Sequence, residues 1–384
     1  MNNSYKDVIE YVKEEDVRFV RLAFCDLEGN LKNCAIAADG LENAFRNGVS
    51  FDGSALKGFL SPEKSDLLLF PDPSTLTVLP WRPAQGKAVM LFCDIRHPDG
   101  APFKKDSRYV LKQAVEYAES KGITCNFGTE FEFYLFKLDE NGEKTNIPID
   151  NGGYMSADPF DRGENIRREI CLTIEEMGLL TERSHHEEGP GQNEIDFKYS
   201  DALNSADQSI LFKTATRNIA YKNGYRASFD PKPIAGKSGS GVHINVSVTS
   251  KDGKDVFDNF VDGVLTRAKE MTAVFNPSLR SYDRLGDKKT PKKIFRSEED
   301  RTALIRIPAS AGEKRFELRS PDGHTNVYLA YALIIYAGVE GVLNGTVYTN
   351  TSDSLPCGLD EARKIFRSSE FIKKYLGNEI ADCI

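Results

Sequence analysis

The alternation of apolar and polar positions divides the chain into two regimes. Lys6 to Val12 has helical spacing, and VRFVRLAFCD, NCAIAAD and KAVMLFCDI then read as strands bounded by Gly, Asp and Pro. Between the second and third of these runs lies SFDGSALKGFLSPEKSDLLLFPDPSTLTVLP, rich in Gly, Ser and Pro. It reads as a long loop region, and long loops inside globular domains tend to carry function. The turn cluster HPDGAPF (97–103) marks the expected boundary between a domain 1–100 and a domain 101–384. Beyond it helices and strands alternate. SRYVLKQAVEYAESKG is an amphipathic helix ending at Gly122, CNFGTEFEFYLF a strand, and GENIRREICLTIEEMG and ALNSADQSILFKTATRNIAYKNG are helices. GVHINVSV is a further strand, and VYLAYALIIYAGVEGVLNG an apolar helix that Glu340 interrupts. The expected fold class is α+β, with an antiparallel sheet and helices packed on one side.

Three strands share an unusual polar face. Strand side chains alternate, so Glu130 and Glu132 face one way and Phe131 and Phe133 the other. His243, Asn245 and Ser247 oppose Val242, Ile244, Val246 and Val248, while Arg315, Glu317 and Arg319 oppose Phe316 and Leu318. A single such strand is an ordinary wet face. Three in one region, carrying carboxylates, one imidazole and arginines, point to a site instead. HHEEGPGQNEID adds Glu187 and Glu194 around a Gly-Pro-Gly turn that lets backbone approach a ligand. If Glu130, Glu132, Glu187, Glu194 and Glu317 converge, their charge needs balancing. Carboxylates with one His suit Mg²⁺ or Mn²⁺ better than zinc or copper. Arg301, Arg306 and Arg319 would then suit a phosphoryl group beside two such ions.

Composition narrows the alternatives. The 384 residues carry 50 Lys+Arg against 58 Asp+Glu, a net −8 that argues against non-specific nucleic-acid binding. No run reaches the roughly 18 consecutive apolar residues of a membrane span, and the charged start is no signal peptide. The seven cysteines show no C-x-x-C spacing, so reduced thiols in the cytoplasm are expected. AGKSGSG contains the GKS of a phosphate loop, but the Gly required five residues before Gly236 is Pro231. Any phosphate must therefore be held by metals and arginines.

SFDGS, GTEFEFYLF, HHEEGPGQNEIDFKYSDAL, FDPKPIAGKSGSGVHINVSV, NPSLRSYDRL, DRTALIRIPAS and RFELRSPD follow one another in the order found in the glutamine synthetase family. The chain resembles its bacterial type I branch from about residue 15 to 384. The resemblance implies an N-terminal β-grasp domain, a C-terminal catalytic domain with a curved antiparallel sheet, and ring-shaped homo-oligomers with sites between subunits. It implies that ATP phosphorylates the γ-carboxylate of glutamate and that ammonia displaces the phosphate. Carried over residue by residue, Glu132, Glu187 and Glu194 would hold one metal, and Glu130, His243 and Glu317 the other. Arg284, Arg319 and Gly239 would bind glutamate, with Ser238 beside them. Arg301 and Arg306 would stabilise phosphoryl transfer and phosphates. Glu182, Tyr199, Asn245 and Ser247 would line the nucleotide site. Asp52, beside Ser54, would take a proton from ammonium in a neighbour's site, and Tyr154 would lie at the ammonium site. The alternatives, weaker than these roles, are an Asx turn for Asp52 and plain packing for Tyr199.

Four departures qualify this resemblance. Ser238 stands where the family usually has Asn. In SYDRLGDKKTPKKIF, one residue shorter than usual, Lys289 falls where a flap carries Glu. A cation there would repel ammonium and leave room for a larger amine, unless Glu298 or Glu299 substitutes. TSDSLP carries Asp353 where adenylylated relatives have Tyr, so that control is not expected. Relatives also continue past LGNEIADCI into a helical tail, which leads to the expectation of a single hexameric ring or a loosely paired dodecamer. A larger-amine ligase and a non-catalytic relative stand as alternatives to glutamine synthesis.

Overall fold

The computed structural model describes residues 4–82, 86–309, 314–350 and 352–384. Helix α1 (Tyr5–Glu14) starts at Ser4, whose side chain accepts the Asp7 N–H while Asp7 accepts the Ser4 N–H. Strands β1 (Val17–Cys25) and β2 (Leu31–Ala37), helix α2 (Leu41–Asn47), and strands β3 (Val49–Asp52), β4 (Asp66–Pro71), β5 (Thr77–Val78) and β6 (Lys87–Arg96) follow. They build a sheet in the order β2-β1-β6-β4-β3, with β5 also on β6. Among the described residues, only the central β1–β6 pair is parallel. Contrary to the expectation of one long loop, the stretch from Ser50 to Pro80 contains most of β3 and all of β4 and β5, and α2 precedes it. Its turn residues hid a half-buried strand, DLLLFP, in which Leu67 and Leu69 are buried and pairing with β6 supplies the hydrogen bonds.

The rest of the chain forms α3 (Ser107–Ser120), β7 (Ile123–Leu138), β8 (Lys144–Pro148), α4 (Glu164–Glu176), β9 (Thr181–His186), β10 (Gln192–Phe197), β11 (Ser200–Asp201), α5 (Ala202–Lys222), β12 (Tyr225–Ser228) and β13 (Val242–Ser250). Then come α6 (Phe257–Phe275), α7 (Leu279–Arg284), β14 (Arg296–Ser297), β15 (Ile305–Arg306), β16 (Arg315–Leu318), α8 (Val327–Asn344), α9 (Leu359–Ser368), α10 (Glu370–Leu376) and α11 (Asn378–Ala381). The sheet runs β14-β15-β16-β13-β7-β10-β9, with β8, β11 and β12 also on the long β7. All of its described pairs are antiparallel except β14–β15.

One face of this sheet is apolar and covered by helices. Phe127 stacks on Tyr331 of α8 at 4.2 Å, Phe131 on Phe212 of α5 at 5.0 Å, and Phe316 meets Phe257 and Phe260 of α6. Burying each such ring contributes about 1.5–3 kcal/mol, which commits the opposite, carboxylate-bearing face to the outside of the sheet. Helix α8 is long and apolar enough to cross a membrane by composition, yet every residue from Val327 to Val339 is buried in the protein. Glu340 does not end it, because Arg267, Lys374 and Tyr375 satisfy the carboxylate.

A buried guanidinium ties the two sheets together. Arg108 at the start of α3 reaches Asp207 of α5 at 2.9 Å, Asp72 at 3.0 Å and Asp94 at 3.1 Å. Burial raises the Asp72 pKa, but Arg108, Ser74 and Lys112 outweigh it and hold the carboxyl at about 2. Three carboxylates around one Arg are tolerable only because Tyr328 and Lys112 supply further donors.

Candidate active site

The polar face gathers its carboxylates through strand register. On the central ladder His243 of β13 lies opposite Glu130 of β7, and on the next Asn245 lies opposite Glu317 of β16. Donor atoms of Glu130, His243 and Glu317 all lie within 4.8 Å of one another. His243 Nδ1 stands 3.4 Å from Glu130 Oε2 and 3.4 Å from Glu317 Oε1, and Asn245 Nδ2 donates to Glu130 Oε1 at 2.9 Å.

On the other side of β7, Glu194 of β10 pairs in register with Glu132 and with His185 of β9. His185, Glu187 and Glu194 form a second group within 4.8 Å, with His185 Nε2 3.4 Å from Glu194 Oε1. His185 escaped the sequence reading, although the doubled imidazole of HHEE was visible. Glu132 stands between the groups: its Oε2 accepts the Gly241 N–H at 2.7 Å and its Oε1 is 3.9 Å from His243 Nε2. A third acidic group, Asp150, Asp161 and His186, is already saturated. Asp150 accepts from His186 Nε2 (2.9 Å) and from the Gly152, Gly191 and Arg162 N–H groups, while Asp161 holds Arg167.

The electrostatics show which carboxylates are left short of positive charge. Burial would raise Glu130, but the His243 hydrogen bond and charge, with Asn245, bring it down to about 2. Burial and the neighbouring Asp196, Glu132 and Glu130 push Glu194 well up, and burial with Glu132 raises Glu187. Burial also takes Asp196 up to about 6, aided by Glu130. Hard oxygen donors with an imidazole, short of positive charge, fit divalent cations such as Mg²⁺ or Mn²⁺.

Arginines ring the same cavity of about 420 Å³. Arg319 pairs with Glu317 Oε1 and donates from Nε to the Arg301 carbonyl at 3.0 Å, and Arg306 Nη1 meets Glu317 Oε2 at 3.2 Å. Arg284 donates to the Ser320 carbonyl at 2.7 Å and the Arg319 carbonyl at 3.2 Å. Gly239 lies so close that an added Cβ would be 2.8 Å from Arg284 Cγ. Ser238, Gly239, Tyr154 and Arg301 line this cavity too. Tyr154 is exposed, edge-on to His185 at 5.5 Å.

A second cavity, about 440 Å³, shares Glu130, Arg183 and Arg315 with the first. Glu182, Tyr199, Asn245 and Ser247 line it, whereas Arg306 lines the first. Asp52 lines neither; its carboxylate accepts the Ser54 N–H at 2.8 Å and the Ser54 hydroxyl at 2.6 Å, an Asx turn on the exposed end of β3. Glu298 and Glu299 also line neither. Lys289 is on the first cavity's rim, but it is not a free cation: it pairs with Glu188, a carboxylate the sequence reading passed over. Asp353, outside both, pairs with Lys269 at 2.8 Å.

Comparison with known proteins accounts for both sheets. Residues 16–98 match the family model "Glutamine synthetase, beta-Grasp domain" and residues 104–383 match "Glutamine synthetase, catalytic domain". Curated glutamine synthetases of Methanosarcina mazei and Clostridium saccharobutylicum are 45% and 43% identical over 98% of this chain, covering 91% and 92% of their own lengths. One from Staphylococcus aureus is 41% identical over 98% of this chain and 91% of its own. Among solved structures, a GmaS/ADP complex superposes with a TM-score of 0.89 at 29% identity, covering 100% of this chain and 94% of that one. With both family models matched in chain order and relatives above 40% identity across nearly its whole length, the chain belongs to the glutamine synthetase family.

Proposed function

We propose that this chain is an ATP-dependent glutamate–ammonia ligase of nitrogen metabolism, making glutamine through γ-glutamyl phosphate. The enzyme class is that of the curated glutamine synthetases 41–45% identical to it. The observation that carries the reading is the adjacency of two cavities that share Glu130, Arg183 and Arg315, one lined by carboxylates and arginines, the other by Glu182, Tyr199, Asn245 and Ser247. In the first step a γ-carboxylate oxygen of glutamate attacks the terminal phosphorus of ATP and ADP leaves. In the second, ammonia attacks the acyl carbon and phosphate departs.

The residues divide this work by position. Glu130, His243 and Glu317 would hold one divalent ion, and Glu187 and Glu194, with Glu132 and His185 beside them, another. Bound there, Mg²⁺ or Mn²⁺ would offset phosphate charge during transfer. Arg301 and Arg306 would face the transferring phosphoryl group, where fixed guanidinium charge is worth most. Arg284, Arg319, Gly239 and Ser238 would seat glutamate. Arg284 is already braced by two backbone carbonyls, so little ordering remains to be done on binding. Asp52, exposed and away from its own chain's cavities, would accept the ammonium proton in a neighbouring subunit's site, beside Tyr154. That arrangement requires a homo-oligomer, proposed as a hexameric ring or loosely paired dodecamer. Seven free thiols suit a cytoplasmic setting.

A second reading keeps the activation but uses a larger amine, favoured by a rim whose carboxylates Glu188 and Asp287 are taken by Lys289 and Lys232. Glutamine and phosphate should form together from glutamate, ATP and ammonium with Mg²⁺ or Mn²⁺. Amide formation only with amines from a panel would favour the second reading; no glutamate-dependent phosphate release would sink both.

A further inference from the structure

The rim segment 286–291 joins α7 to β14 without helix or strand. Its described backbone hydrogen bonds stay local, from Asp287 N–H to the Arg284 carbonyl at 3.0 Å and from Thr290 N–H to the Asp287 carbonyl at 2.9 Å. The polar contacts that reach the opposite wall come from side chains. Lys288 Nζ donates to Ser238 Oγ at 3.2 Å, and Ser238 Oγ donates to Glu188 Oε2 at 3.2 Å. Lys289 pairs with the other oxygen of Glu188, and Asp287 pairs with Lys232.

Glu188 also sits where the rim meets the candidate metal site. Its backbone N–H donates to Glu187 Oε2 at 2.8 Å. Lys289 and Ser238 thus meet on one carboxylate, that of Glu188.

We infer that Glu188, Lys289 and Ser238 form a latch that holds segment 286–291 closed over the cavity and determines whether water or the amine reaches the acyl phosphate. This rests on the ligase reading above. Attack by ammonia gives glutamine and phosphate; attack by water returns glutamate and releases phosphate, so the net reaction is ATP hydrolysis. Phosphate released per glutamine formed therefore reads the latch. The pair is partly exposed, with side chains 60% and 31% accessible, so salt should weaken it.

A charge-swap cycle tests this. Glu188→Lys and Lys289→Glu each set like charges face to face, and each should raise the phosphate-to-glutamine ratio about two- to fivefold. Glu188→Lys combined with Lys289→Glu should bring it back to within about twofold of the unaltered protein. The unaltered protein's ratio should also rise with KCl, and that of the milder Glu188→Gln should not. Hydrogen exchange across 286–291 supplies a readout independent of turnover, and it should quicken in both single variants and slow again in the double. Folded single variants with unchanged exchange and an unchanged ratio would overturn the latch, as would a double variant no better than the singles. An unaltered protein that releases no phosphate would overturn the ligase reading, and exchange would still decide the latch.

Discussion

His243 faces Glu130 across the central ladder of the sheet, its Nδ1 3.4 Å from Glu130 Oε2. Glu317 completes the group from the adjacent β16, so three neighbouring strands each supply one candidate donor atom. Such a site is rigid, because a change at any ligand would have to move a hydrogen-bonded strand.

The first prediction follows from that group. Glu317→Ala should abolish glutamate-dependent phosphate release and remove most of the thermal stabilisation given by Mn²⁺. A ligand at about 100 times its Kd adds about 2.7 kcal/mol to the folded state, which a thermal melt resolves easily. Full Mn²⁺ stabilisation in the variant would show that the ion sits elsewhere.

The second cavity is tested through its floor. A Cβ on Gly128 would be 3.1 Å from Tyr199 Cβ, and both residues line the cavity. Gly128→Val should raise the ATP KM about tenfold by crowding that space. Mn²⁺ binding, measured by calorimetry, should change little. An unaltered ATP KM would mean that the nucleotide lies in a different place.

Sharing of sites between subunits is tested by mixing. Asp52→Ala and Glu317→Ala proteins should each be nearly inactive. If Asp52 serves a neighbour, rings reassembled from equal amounts should regain about one quarter of the active sites. No recovery in rings shown by native mass spectrometry to be mixed would place both residues in the same chain's site.

Asp106 gives a pH dependence outside the active site. It caps α3 and accepts the Ile95 N–H at 3.1 Å and the Arg108 N–H at 3.0 Å. Burial raises its pKa from 3.8 to about 6, aided by Asp94 against the opposing hydrogen bonds. A raised folded-state value means that its contribution is fully present below about 3.8 and is lost as pH rises through about 6. A displacement of that size is worth about 3 kcal/mol. Asp106→Asn gives up an acceptor, at a cost of about 1 kcal/mol, but removes the charge. Stability of the variant relative to the unaltered protein should therefore improve between pH 4 and pH 7, read from denaturant melts. A difference independent of pH would refute the assignment.

Much of the site could be read from periodicity. Glu130 and Glu132 share a face because strand side chains alternate, and the same rule gave His243 with Asn245 and Arg315 with Glu317. Glu182, Tyr199, Asn245 and Ser247 came from motif alignment, and one cavity collects all four. The short strands β3, β4 and β5 were not readable, because two to six residues among Gly, Ser and Pro carry too little pattern.

The sequence by itself determined which side chains face away from the apolar core, since that depends only on local alternation and on where the large apolar residues fall. Partnership was decided by the tertiary structure. Register across β7, β13 and β16 puts Glu130 with His243 and Glu317, while Glu132 on the same strand faces Gly241. The turn after β9 brings His185 to Glu187 and Glu194, and it sets Glu188 against Lys289, 101 positions away along the chain. Such pairings depend on strand register and chain reversal over long separations, which local composition does not encode.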